Sequence, residues 1–306
     1  MLKVGVLGAG HLGKIHLRLL NQSEKYELVG FYDAFEENAN KVAAEFGYKK
    51  FDSIAELIAA VDVVDIVTPT MQHFDCAKQV IEAGKHIFIE KPISNTVAEA
   101  EEIIALANKY NVKGQVGHVE RFNPAFQEAR PFLNQPMFIE THRLAQFNPR
   151  GTDVPVVLDL MIHDVDLILS LVDSELESVD CSGARVLTSD IDIANARIRF
   201  ANGCVANVTA SRVSAKSERK MRVFQHQACH SLDFQVRTLT TYRGATDPMA
   251  EPEQAIERHE QSFGEADPLY AEIVDFVDSI LHKRPPKVSG EAGRRASRPC
   301  RHRPLF

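Results

Sequence analysis

Four places in this 306-residue chain carry side chains that could do chemistry at a shared site. Lys91 sits in Glu90-Lys91-Pro92, directly after the apolar run His86-Ile87-Phe88-Ile89. An ammonium at a strand end can lower the pKa of a nearby hydroxyl and hold its geometry, with Glu90 as charge partner. Asp159 and His163 lie four residues apart in an apolar run. On a helix they share one face, where the imidazole can serve as general base and the carboxylate can orient it. Thr68-Pro69 ends a strand, and His73 follows at the predicted start of a helix, close to the same sheet end. Gly8-Ala9-Gly10-His11-Leu12-Gly13 joins a strand to a helix. Its glycines permit a tight turn, close approach of backbone to a pyrophosphate, and close helix packing, with the anion facing free N–H groups.

Asp33 answers that loop twenty residues beyond Gly13, at the end of the second predicted strand. A carboxylate there accepts ribose hydroxyls and repels a 2′-phosphate. Ala34 follows, and no arginine is near, so NAD is favoured over NADP. A methyltransferase also uses a glycine loop and an acid after strand two, and these residues alone leave that alternative open.

Such side chains need a frame. Strands are predicted over 2–7, 27–32, near 50–51, and over 63–68, 86–89 and 113–117. Helices are predicted over 11–22, 35–46, 54–60, 73–83 and 96–110, with Ser53 as a cap answered by Glu56. This alternation predicts an α/β Rossmann-type, doubly wound parallel sheet over residues 1–120. Then the pattern changes. A helix over 123–133 precedes alternating runs at 137–147, 176–187, 191–200, 203–213 and 219–241, interrupted by an apolar helix over 156–172. A helix over 267–282 follows. These predict an α+β domain over 121–293 with a large, predominantly antiparallel open sheet. Residues 294–306 are rich in arginine and proline without apolar periodicity, and read as a disordered tail lacking a terminal helix.

A net charge of −7 and pI near 6.0 disfavour nucleic acid as a partner. No apolar run reaches the roughly 18 residues of a membrane span. The N-terminus runs straight into strand and glycine turn, which leaves no signal peptide. Five scattered cysteines with no CxxC fit a reduced cytoplasm, without a metal site or disulfide framework.

Together, Gly-x-Gly-x-x-Gly, Thr-Pro-x-x-x-His, Glu-Lys-Pro and Asp-x-x-x-His-x-x-Asp make the chain resemble the Gfo/Idh/MocA oxidoreductases over residues 1–293. The resemblance implies a dehydrogenase that oxidises a secondary hydroxyl of a sugar, cyclitol or sugar nucleotide. It implies that Lys91, Asp159 and His163 line the active site, and that the second-domain sheet makes a homodimer or homotetramer. Met161 stands where the family often has glycine. Segments 117–124 and 149–164 resemble the branch acting on C3 of UDP-N-acetylglucosamine. For that substrate, Arg121, Asn123, Arg143 and Arg150 are candidate binding residues, since arginine grips phosphate oxygens bidentately. The alternatives are a free sugar or inositol dehydrogenase and a non-catalytic NAD(H)-sensing protein.

Overall fold

The computed structural model describes residues 1–148, 154–244 and 256–300. They form two compact units: Met1–His118 with Leu269–Arg294, and Val119–Pro268 with the chain from Arg295 on.

The first unit alternates as the sequence predicts: β1 (Leu2–Leu7), α1 (His11–Gln22), β2 (Tyr26–Tyr32), α2 (Glu36–Phe46), α3 (Ile54–Ala60), β3 (Val63–Ile66), α4 (His73–Glu82), β4 (His86–Glu90), α5 (Val97–Lys109) and β5 (Gly114–Gly117). Capping sets two of these helices. Ser53 accepts the Glu56 N–H, and Thr96 with Glu99 forms a reciprocal capping box. The strands lie in the order β2-β1-β3-β4-β5, every pair parallel. The strand predicted near Lys50 shrinks to one parallel bridge from Lys50 to Phe31. Parallel pairing puts every strand's carboxyl end on one edge, so Gly8, Asp33, Thr68 and Lys91 all emerge there. The chain leaves β1 for β2 on one side and β3 on the other, which makes the crevice where such sheets bind ligands.

The second unit contains α6 (Pro124–Ala129), β6 (Phe138–Leu144), α7 (Ile162–Leu171), β7 (Leu176–Ala184), β8 (Ile193–Phe200), β9 (Val205–Ser211), β10 (Glu218–Gln225), β11 (Ala228–Asp233), β12 (Thr238–Gly244) and β13 (Ile256–Ser262). Its eight strands run β13-β12-β11-β10-β6-β9-β8-β7, antiparallel except for β6 beside β9. Alternate residues such as Ile198, Val208 and Val223 join Val165 and Ile168 of α7 in one core. The sequence predicts one run over 219–241, where the structure has β10, β11 and the start of β12. The reversals carry no glycine or proline; Gln227 and Arg237 turn the chain at φ +57° and +58°. β13 goes unpredicted because its residues are all exposed and lack an apolar alternation. The predicted helix over 156–172 opens instead with a π-helical turn, Val157–Met161.

The C-terminal stretch departs furthest from the sequence reading, which assigns 121–293 to one domain. α8 (Pro268–Leu281) is counted with the first unit from Leu269, because Ile273, Phe276 and Val277 join the core of Val4, Val6 and Phe31. Phe276 meets Phe88 edge-on at 6.0 Å. The tail, predicted disordered, is helical through Cys300 as α9 (Gly290–Cys300). Its inward stripe is built of small residues, Gly290, Gly293, Ala296 and Ser297, which no apolar periodicity reveals. A Cβ on Gly293 would lie 2.7 Å from Val116 Cγ2, so a larger residue would push the helix away. Residues 301–306 lie outside the described residues.

Phe276→Ala should destabilise the protein by about 3–5 kcal/mol, because it empties a fully buried ring position. Urea unfolding followed by circular dichroism checks this.

Candidate active site

The glycine loop has the shape a dinucleotide needs. Gly8 adopts φ +94°, and a Cβ there would lie 2.6 Å from the Val67 carbonyl oxygen. A Cβ on Gly13 would lie 2.1 Å from the Gly8 oxygen, so α1 can start this close only with glycine. Gly10 is exposed and has nothing within 4 Å of its Cβ position, which leaves open room for a ligand against the backbone. His11 and Leu12 are exposed at the first turn of α1. Asp33 is oriented by its neighbours: Oδ2 accepts from the Ala9 N–H at 2.8 Å and from Asn38 Nδ2 at 3.0 Å, and Oδ1 accepts from the Phe35 N–H. Asn38 also donates to the Ala9 carbonyl, so the carboxylate and the glycine turn are tied into one rim. These residues fit NAD.

Lys91 is half-buried just past β4, on the same edge. Two of its companions point into the protein. His73 is 1 % exposed, and its ring spans two turns: Nδ1 lies 2.9 Å from the Pro92 oxygen and Nε2 2.9 Å from the Thr68 oxygen. Burial lowers its pKa. His73 therefore clasps the Thr68-Pro69 and Lys91-Pro92 turns from inside, its nitrogens engaged by carbonyls of the chain. Glu90 also points inward. Its Oε2 accepts the Lys91 N–H at 3.1 Å, and its Oε1 lies 3.3 Å from His16 Nε2. A Cβ on Gly117 would lie 2.6 Å from Glu90 Oε1, so β5 carries glycine where the carboxylate needs room.

His16 and Asp65 are the functional candidates that sequence reasoning misses. His16 is fully buried, with Nδ1 2.8 Å from Asp65 Oδ2. Burial opposes its charge, but Asp65 and Glu90 override that and push its pKa up to about 10. Burial pushes the Asp65 carboxyl up, and the imidazolium pulls it back. A signal existed: an aspartate inside the buried strand Val63-Val64-Asp65-Ile66 requires a partner.

In the second unit, α7 is pinned by two arginines. Arg143, 3 % exposed, donates from Nε and Nη2 to Asp164 at 2.9 Å each, and from Nη1 to Glu120 at 2.7 Å. Arg121 grips Asp166 bidentately at 2.6 and 2.7 Å. Both are predicted to meet a substrate diphosphate; the structure spends them on carboxylates, because Asp164 and Asp166 are themselves buried. Asn123 is likewise structural: its side chain caps α6 and donates to the Phe234 carbonyl. Arg150 lies outside the described residues. Asp159 falls in the π-helical turn and His163 in the first turn of α7. Both are half-buried, less enclosed than the sequence predicts. Asp164 and Asp166, beside His163, hold its backbone to β6 and to the segment 119–122.

A profile of an oxidoreductase family with an NAD-binding Rossmann fold matches residues 2–118, and one of the GFO/IDH/MocA C-terminal domain matches residues 105–230. The chain belongs to the Gfo/Idh/MocA oxidoreductases. It is an NAD-binding member. UDP-N-acetylglucosamine 3-dehydrogenase of Acidithiobacillus ferrooxidans is 39 % identical over 96 % of this chain and 93 % of its own. A solved structure of that enzyme superposes with a TM-score of 0.92 at 38 % identity, over 98 % of this chain and 95 % of that one. The scyllo-inositol 2-dehydrogenase (NAD(+)) of Bacillus subtilis is 31 % identical over 69 % of this chain and 68 % of its own.

Gly10→Ala should change folding stability by less than about 0.5 kcal/mol, yet weaken NAD binding roughly tenfold or more. Gly13→Ala should cost about 2–3 kcal/mol of stability. Calorimetric titration and urea unfolding separate the two effects. Arg143→Met leaves two buried carboxylates facing each other and should cost about 3–5 kcal/mol, read as a lowered urea midpoint.

Proposed function

We propose that this Gfo/Idh/MocA oxidoreductase removes hydride from a secondary hydroxyl of a sugar nucleotide, with C3 of UDP-N-acetylglucosamine as the reacting carbon. One observation carries the reading: Gly8, Asp33 and Lys91 leave β1, β2 and β4 of one parallel sheet on a single edge, so one unit can hold a dinucleotide and present an ammonium on the same edge. The named 3-dehydrogenase matched across nearly the whole chain supports the substrate.

Bound NAD supplies the hydride acceptor. Gly8, Gly10 and Gly13 admit its pyrophosphate to the N-terminus of α1, and Asp33 takes ribose hydroxyls. The Lys91 ammonium lies beside the substrate oxygen and stabilises the negative charge that grows there as hydride departs. An imidazole nitrogen of His163 takes the hydroxyl proton, and Asp159 orients the ring. Orientation contributes alongside proton transfer, because hydride passes only between carbons near contact. With Arg121 and Arg143 paired internally, the arginine share of diphosphate recognition falls to Arg150. The protein works in the cytoplasm as a homo-oligomer built on its second-unit sheet. Among the described residues no helix is long and apolar enough to cross a membrane.

The test is NAD reduction across UDP-N-acetylglucosamine, UDP-glucose, free hexoses and inositols. UDP-N-acetylglucosamine should give the highest kcat/KM. Lys91→Met and His163→Asn should each lower kcat by about 10²–10⁴-fold. Wild-type turnover in both variants would overturn the mechanism, and preference for a free cyclitol would overturn the substrate.

A further inference from the structure

We propose that His16 is a buried imidazolium and a positioning residue, which sets the net charge behind Lys91 by holding Asp65 on one ring nitrogen and Glu90 on the other. The inference rests on the reading that Lys91 faces the substrate oxygen.

The contacts count the protons. Nδ1 lies 2.8 Å from Asp65 Oδ2, and Nε2 lies 3.3 Å from Glu90 Oε1. Ionised carboxylates only accept hydrogen bonds. A neutral ring would turn a lone pair toward the lone pairs of one carboxylate. A doubly protonated ring donates to Asp65 from Nδ1 and turns a positive N–H edge, at ion-pair distance without hydrogen-bond alignment, toward Glu90. Bulk solvent does not touch the ring: His16 is 0 % exposed, with the Phe88 ring edge-on at 5.9 Å. Glu90 in turn accepts the backbone N–H of Lys91, and Gly117 makes room for it. The line from Asp65 through His16 and Glu90 thus ends at the residue carrying the reactive ammonium.

Two further titratable groups act on this cluster. Tyr26 from β2 acts on Asp65 and stays neutral, its pKa raised by burial. His73 from α4 feels both Glu90 and Lys91, and burial lowers its pKa. Two carboxylates and one imidazolium leave a single net negative charge behind Lys91. Without the imidazolium there are two, which favour the ammonium more strongly. Without the Asp65 carboxylate there are none, which favours it less. The sign of the effect therefore depends on which partner is removed, and a purely architectural role would not produce opposite signs.

The experiment has two arms on the full-length chain. In the first, ¹⁵N imidazole spectra of wild-type protein, assigned through the backbone, should show His16 doubly protonated at pH 7.5. Neutral-tautomer shifts at that pH overturn the proposal without any variant. In the second, the alkaline limb of kcat/KM for sugar oxidation is followed in three variants. His16→Gln should move it up by about one pH unit and Asp65→Asn down by about as much, and the double variant should return it to the wild-type position. Limbs that stay fixed, or that move the same way in both single variants, overturn it. If Lys91→Met keeps wild-type turnover, the reading of the site falls and the tuning of Lys91 falls with it, while the spectra decide the charge of His16 separately.

Discussion

A charge taken out of water must find its opposite, and that constraint orders each unit of this molecule. Glu90, Asp164 and Asp166 are all nearly inaccessible. Each sits within a residue or three of a side chain assigned to chemistry, Lys91 or His163. Their partners reach them from other elements: His16 from α1, Arg143 from β6, Arg121 from the turn before α6. The ionic contacts therefore fix where β4 ends and how α7 is seated. Removing a single member leaves the others charged and unsolvated, a larger penalty than the pair's own net worth.

The same constraint explains what the sequence hides. The Rossmann unit is legible because its signals are local: a strand, a glycine turn, a helix, and an acid at a fixed distance. Ser53 and Thr96 announce their helices in the same local way. An arginine on paper, by contrast, has no stated partner. Arg121 and Arg143 could meet a phosphate or a carboxylate, and only the fold brings Asp164 and Asp166 opposite them. Asp65 was the clue most open to reading, since a lone acid in a strand buried on both faces cannot stay unaccompanied. His73 and Glu90 carry the right chemistry in the right loops, yet the direction of a side chain off a turn is a three-dimensional fact.

Small residues mislead in another way. Hydrophobic periodicity finds helices whose inner stripe is leucine or isoleucine. α9 has an inner stripe of glycine, alanine and serine, and its outer face is arginine, so it reads as a tail. Close approach replaces apolar bulk as the source of contact, as Gly293 against Val116 shows. α8 carries the ordinary pattern and is found, but the pattern is silent on which core receives it. Ile273 and Phe276 lie more than 150 residues along the chain from the last residue of β5, yet share a core with β1 and β4.

β13 carries a consequence for assembly. Among the described residues it is one of the two edge strands of the larger sheet, with β7 at the other end, and Glu257, Arg258, His259 and Glu260 follow one another along it. An outer strand offers a free row of amides and carbonyls to any passing strand, and consecutive charged side chains are a defence against that zippering. Pairing through β13 into an endless ribbon is thereby disfavoured.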